Sequence, residues 1–120
     1  MTALRRLRAA LGGDDGSVTV EAALGIASLV VVLAVAAAGA GAALTQIRLV
    51  DAAREAARVA ALSGADEGIE AGRAVAPSAR VAVSGAGEWV TAEASAPARG
   101  LPGVALSARA VARVEPGAPA

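Results

Sequence analysis

One carboxylate stands out by its position. Glu21 opens a run, from Ala22 to Leu44, that contains no charged residue. An ionisable group at the edge of such a run is costly and points to a function. It can pair with a cation in poorly solvated surroundings, where the attraction is strong. It can equally sit among lipid headgroups and gain from the positive end of a helix. Glu21 taken by itself leaves both open. Gly16, Ser17, Val18, Thr19 and Val20 precede it, and a glycine in that place, taken alone, reads as a loop residue.

Little other chemistry is available. The chain has no His, Cys, Tyr or Phe, and all 11 of its basic residues are Arg. Without His it lacks a proton shuttle near neutral pH, and without Cys or Lys it lacks a thiolate or an imine-forming amine. Ser, Asp and Glu remain, but no motif sets a base beside a nucleophile. We therefore expect no enzyme activity, no cofactor and no metal site of the His or Cys type. The formal net charge of +0 with scattered charges gives no basic patch for a phosphate backbone, so nucleic acid is not an expected partner. The Ala and Arg bias reads as a GC-rich genome.

The elements that would position Glu21 follow from the hydropathy pattern. About 23 uncharged residues, 22 to 44, cross a hydrocarbon core of roughly 30 Å as a helix. Leu29 to Val35 gives this span its most apolar part. Arg5, Arg6 and Arg8 precede it and predict a cytoplasmic N-terminus with the C-terminal part outside; Arg48, Arg54 and Arg58 follow it, interleaved with Asp51 and Glu55. No helix breaker appears from Thr45 to Leu62. Arg48 with Asp51 and Glu55 with Arg58 are spaced to pair on a helix surface. One helix is therefore expected over 17–63, a rod of about 70 Å, stopped by Ser63 and Gly64.

Beyond it the sequence predicts a small α+β domain over 64–115. Asp66 is expected to cap a short helix, with Glu67 and Glu70 in its first turn and Arg73 near its end, before Pro77 stops it. The pattern then alternates, which predicts about three antiparallel strands. Arg80–Ser84 and Glu88–Ala94 form a hairpin about a turn at Ser84–Gly87. A third strand carries Val104, Leu106, Ala108, Ala110, Ala112 and Val114 on one face and Ser107, Arg109 and Arg113 on the other. So small a sheet needs cover from the long helix, the short helix or a neighbouring subunit. Residues 116–120 read as a disordered tail.

Gly16 followed by four residues and a glutamate, at the start of an apolar helix and after a leader containing basic residues, resembles the processing site of type IV pilins. More narrowly, GSVTVEAAL leading into a long Ala-rich helix and then RLVDAAREAARVAAL is similar to the TadE-like family, minor pseudopilins of the Tad/Flp pilus system. The similarity covers most of the chain. It is most specific at Gly16–Leu24 and Gln46–Leu62.

This resemblance implies a cytoplasmic leader, 1–16, cut by a prepilin peptidase between Gly16 and Ser17. Glu21 becomes the fifth mature residue and pairs with the terminal amine of an adjacent subunit, which sets register. A glycine before the cut lets extended backbone enter a protease cleft. The partners implied are the peptidase, other pilin-like subunits, the assembly platform and the membrane. The product is a single-pass cell-membrane protein that enters a pilus, where adhesion, secretion and uptake are all open roles. Ala22 stands where major pilins of this system commonly have Tyr, and those pilins are shorter, which favours a minor component. Ser17 in place of an aromatic leaves N-methylation open.

Two other readings compete. One is a conventionally secreted protein, cut after Ala36–Ala38 and released without its apolar segment; the run is long for a signal core. The other is an uncut single-pass membrane interaction protein. Ala37 and Gly41, with Gly25 and Gly39, offer a small-residue face, although small residues recur by chance in such a span. Trp89, the sole Trp of the chain, is expected to pack inside the small domain, with an exposed anchor as its other role.

Overall fold

The structure, a computed structural model, describes residues 15–117. Most of the expected leader and the last residues of the expected tail lie outside that range. Helix α1 runs Asp15–Ser63, followed by the short helix α2, Ala65–Val75, and strands β1, Arg80–Ala86, β2, Trp89–Pro97, and β3, Ala105–Arg113. The strands form one antiparallel sheet in the order β1-β2-β3. The fold is α+β, with a long apolar N-terminal helix, a short helix and three antiparallel strands. Contacts divide the chain into two units, meeting at Ala36 and Ala37.

The second unit is held together by small side chains. Its core joins Leu49, Ala52, Ala53, Ala56 and Ala57 of α1 to Val81 of β1 and to Ala92, Ala94 and Ala96 of β2. Leu49 is the only large side chain fully buried among the described residues. Methyl groups bury little area each, so stability depends on how closely the backbones approach. α2 comes closest. A Cβ at Gly68 would lie 2.5 Å from the Ala60 Cβ, and one at Gly72 would lie 2.9 Å from the Val81 Cγ1.

The sheet follows its alternation. Val90, Ala92, Ala94 and Ala96 are buried, while Leu106, Ala108, Ala110 and Ala112 are half-buried and pack against the same core. The opposite face carries Glu93 against Arg109, and Glu88 beside it reaches Arg113, at 3.3 and 2.9 Å. These pairs are exposed and contribute little stability. After β3 the chain is tied back by Val114 N–H donating to the Glu88 carbonyl, 2.8 Å, and Glu115 N–H to the Ala61 carbonyl, 3.1 Å.

Several local expectations are corrected. Asp66 does not cap α2. Gly64 occupies the cap with φ 109°, and Asp66 and Glu67 lie in the first turn. Gly64 N–H donates to the Ala60 carbonyl while its own carbonyl accepts from Gly68 N–H, so one residue closes α1 and opens α2. That backbone conformation suits glycine. The hairpin turn is Gly87–Glu88, since Ala86 pairs with Trp89. Gly87, with φ 60°, takes the first central position, as a two-residue II′ turn requires. β2 continues through Pro97, and β3 begins at Ala105, leaving Val104 outside it and exposed. Trp89 is 53% exposed rather than packed inside.

Gly68→Leu should destabilise the small domain by about 3 kcal/mol, the upper end for overpacking, because its side chain has to displace α2 from α1. Gly85→Ala is the matched control, since the nearest atom to its new Cβ is 4.0 Å away. Thermal unfolding of the full chain in detergent should show a large fall in midpoint for the first and almost none for the second.

Candidate processing and assembly site

α1 begins with the residues singled out by sequence. Gly16 and Ser17 lie in its first turn and Glu21 one turn later. Among the described residues a Cβ built at Gly16 would meet nothing within 4 Å, so their packing does not demand glycine there. Ser17 and Glu21 are four residues apart and share one helix face. Glu21 is exposed and has no hydrogen bond or ion pair among the described residues. The start of a helix carries partial positive charge, and a carboxylate one turn in is ready for a cation that the described residues do not supply.

The surface behind this carboxylate is apolar. Residues 16–37 are all exposed, including Val18, Leu24, Ile26, Leu29, Val30, Val31, Val32, Leu33 and Val35. The helix is long and apolar enough to cross a membrane, and its most apolar stretch is not buried by the described residues. Its backbone is satisfied internally, as hydrocarbon requires, and the Ser28 hydroxyl donates back to the Leu24 carbonyl at 2.8 Å.

The small-residue face divides. Among the described residues nothing lies within 4 Å of a Cβ at Gly25 or Gly39, whereas one at Gly41 would stand 3.1 Å from the Arg99 carbonyl oxygen. Gly41 therefore admits the β2–β3 loop of its own chain. The juxtamembrane segment also divides. Glu55 and Arg58 form a two-point pair, 2.7 and 3.0 Å, but Arg48 does not pair with Asp51 among the described residues. The Arg58 guanidinium, by its hydrogen bonds, holds the Glu55 carboxyl below its ordinary value, and Arg58 is raised in turn.

Sequence reading missed the crossing of α2 over α1 at Gly68 and Gly72, whose four-residue spacing was the available signal. It also missed Arg99, which reaches α1 only through the loop that carries it. No group of three or more His, Cys, Asp or Glu able to hold a metal occurs among the described residues.

Comparison with known proteins finds a relative over most of the chain. The protein named Apoptosis inhibitor Rv3655c, from Mycobacterium tuberculosis, is 45% identical over 101 residues, which cover 83% of this chain and 81% of that protein. This chain belongs to the Rv3655c family. No family model matches it and no solved structure matches it.

Glu55→Gln should lower the thermal midpoint only slightly at neutral pH, because the pair is solvent-exposed. The depressed folded pKa means that the contribution is present above the unfolded value and is lost as pH falls through the folded one. The two proteins should therefore converge on acidification in a pH series of thermal melts.

Proposed function

We propose that the chain is a minor pilin or pseudopilin, cut between Gly16 and Ser17 by a prepilin peptidase and built into a Tad/Flp-type pilus through its apolar helix. The observation that carries this reading is the surface of α1 over residues 22–37, free of charge and exposed throughout. In water that surface needs cover, which a bilayer or other apolar helices supply. A secretion cut beyond the run would discard it; a cut at Gly16 retains it.

On this reading the N-terminus begins in the cytoplasm and the small domain lies outside. The first turn of α1 unwinds to enter the peptidase, which a fraying helix end permits. The cut leaves a charged amine on Ser17 and a carboxylate one turn in. Each subunit then offers a cation and an anion at the same helix end, and pairing between neighbours fixes their axial register. Leu44 and Ile47, 62% and 57% exposed, extend the apolar surface of α1 beyond Ala37 and suit contact with further helices.

The relative's name favours a second reading, that this chain too inhibits apoptosis. It is tested by cell death in cultures given the purified chain. A reduction that persists in Glu21→Gln would favour that activity over assembly.

Two substitutions test the pilin reading. Gly16→Phe should leave helix content unchanged, given the open space at that position, and should abolish shortening of the chain on an immunoblot; normal shortening would remove the assigned cut. Glu21→Gln should be cut normally yet enter sheared pilus fractions about tenfold less or worse, the scale of a lost charged hydrogen bond. Undiminished incorporation would remove the register argument, and a full-length chain throughout would leave the uncut membrane protein.

A further inference from the structure

The small domain contains a groove at the end where α1 enters it. Ala38 and Gly41 of α1 meet the β2–β3 loop there: a Cβ at Gly100 would lie 3.0 Å from the Ala38 Cα. Irregular backbone of this kind is not tolerated against lipid tails. If α1 spans a bilayer, the hydrocarbon therefore ends by about Ala38, and residues 18–37 supply the roughly 20 residues that a span needs. The groove begins next to this boundary.

Its lining is cationic without compensation. Arg48 of α1 and Arg99 of the loop both line it, together with Gly41, Leu44, Ser78 and Pro97, and no Asp or Glu does. Neither arginine has an ion pair among the described residues; Arg54, Arg73 and Arg80 have none either, but only Arg48 and Arg99 share this groove. Helical side chains lean towards the N-terminus of their helix, so Arg48 leans towards the bilayer, where long basic side chains extend to the phosphates. Leu44 lies one turn nearer the hydrocarbon and is exposed. A groove of about 280 Å³ has room for a headgroup but not for acyl chains.

We infer that this groove binds the headgroup phosphate of an anionic phospholipid, with Arg48 and Arg99 on its oxygens, the Ser78 hydroxyl as a further donor and Leu44 at the acyl boundary. The inference rests on the reading of α1 as a membrane span. It makes the lipid a clamp that fixes the depth at which the small domain sits on the membrane surface.

Native mass spectrometry of the full chain released from detergent tests this, with phosphatidylglycerol, phosphatidylcholine or inorganic phosphate added. The unaltered chain should retain phosphatidylglycerol in preference to phosphatidylcholine. Arg48→Gln and Arg99→Gln should each reduce that preference roughly fivefold, the scale of one basic group at an anionic surface. Arg109→Gln, which removes a paired arginine on the sheet, should keep it. An undiminished preference in the double variant overturns the site, and displacement of the lipid by equimolar inorganic phosphate overturns its assignment to lipid. Insertion of the unaltered chain into phosphatidylcholine vesicles is read separately. No insertion there removes the span itself, whereas insertion without any preference for phosphatidylglycerol removes the lipid site alone.

Discussion

An apolar helical surface that no other described part of the chain covers governs this protein. Over residues 16–37 every residue of α1 is exposed, and leaving that much apolar surface in water is costly. The same helix then becomes the central element of the small domain, from Leu49 to Ala61. One element thus has two duties, an apolar surface for surroundings outside the chain and a core for the sheet.

The second duty explains the alanines. Ala52, Ala53, Ala56, Ala57, Ala60 and Ala61 are all buried, and their small size brings α2 and the sheet close to α1. Glycine at 68 and 72 removes the last obstacle to that approach. Such a core gains little from each side chain and depends on close fit, so it tolerates added volume poorly. Charge is kept on the outer surfaces, where glutamates meet Arg58, Arg109 and Arg113. Arg54, Arg73 and Arg80 have no ion pair among the described residues either, but Arg48 and Arg99 line one groove together.

The long helix was legible because a charge-free run and the absence of breakers before Ser63 leave few alternatives, and the strands were legible from alternation. The α+β class followed from those two periods. The place of Trp89 was also implicit in that period: once Val90, Ala92, Ala94 and Ala96 face inward, Trp89 must face outward. Reading it as core gave its size more weight than the parity of its neighbours. Asp66 looked like a cap because its side chain suits one, but Gly64 already held the backbone conformation that joins the two helices. The positions of Gly16, Ser17 and Glu21 at the start of α1 were readable from their spacing. The groove of Arg48 and Arg99 was not, since only the loop's contact with Ala38 and Gly41 brings the two together.

The central claim is that the apolar helix is retained in the mature protein and begins at Ser17. Its most direct test is the intact mass of the protein from a membrane fraction of its native host, together with sequencing of its N-terminal peptide. The account predicts a mature chain beginning at Ser17 that keeps the whole apolar run. A chain beginning after Ala38, or one still carrying Met1 and the residues up to Gly16, would contradict it.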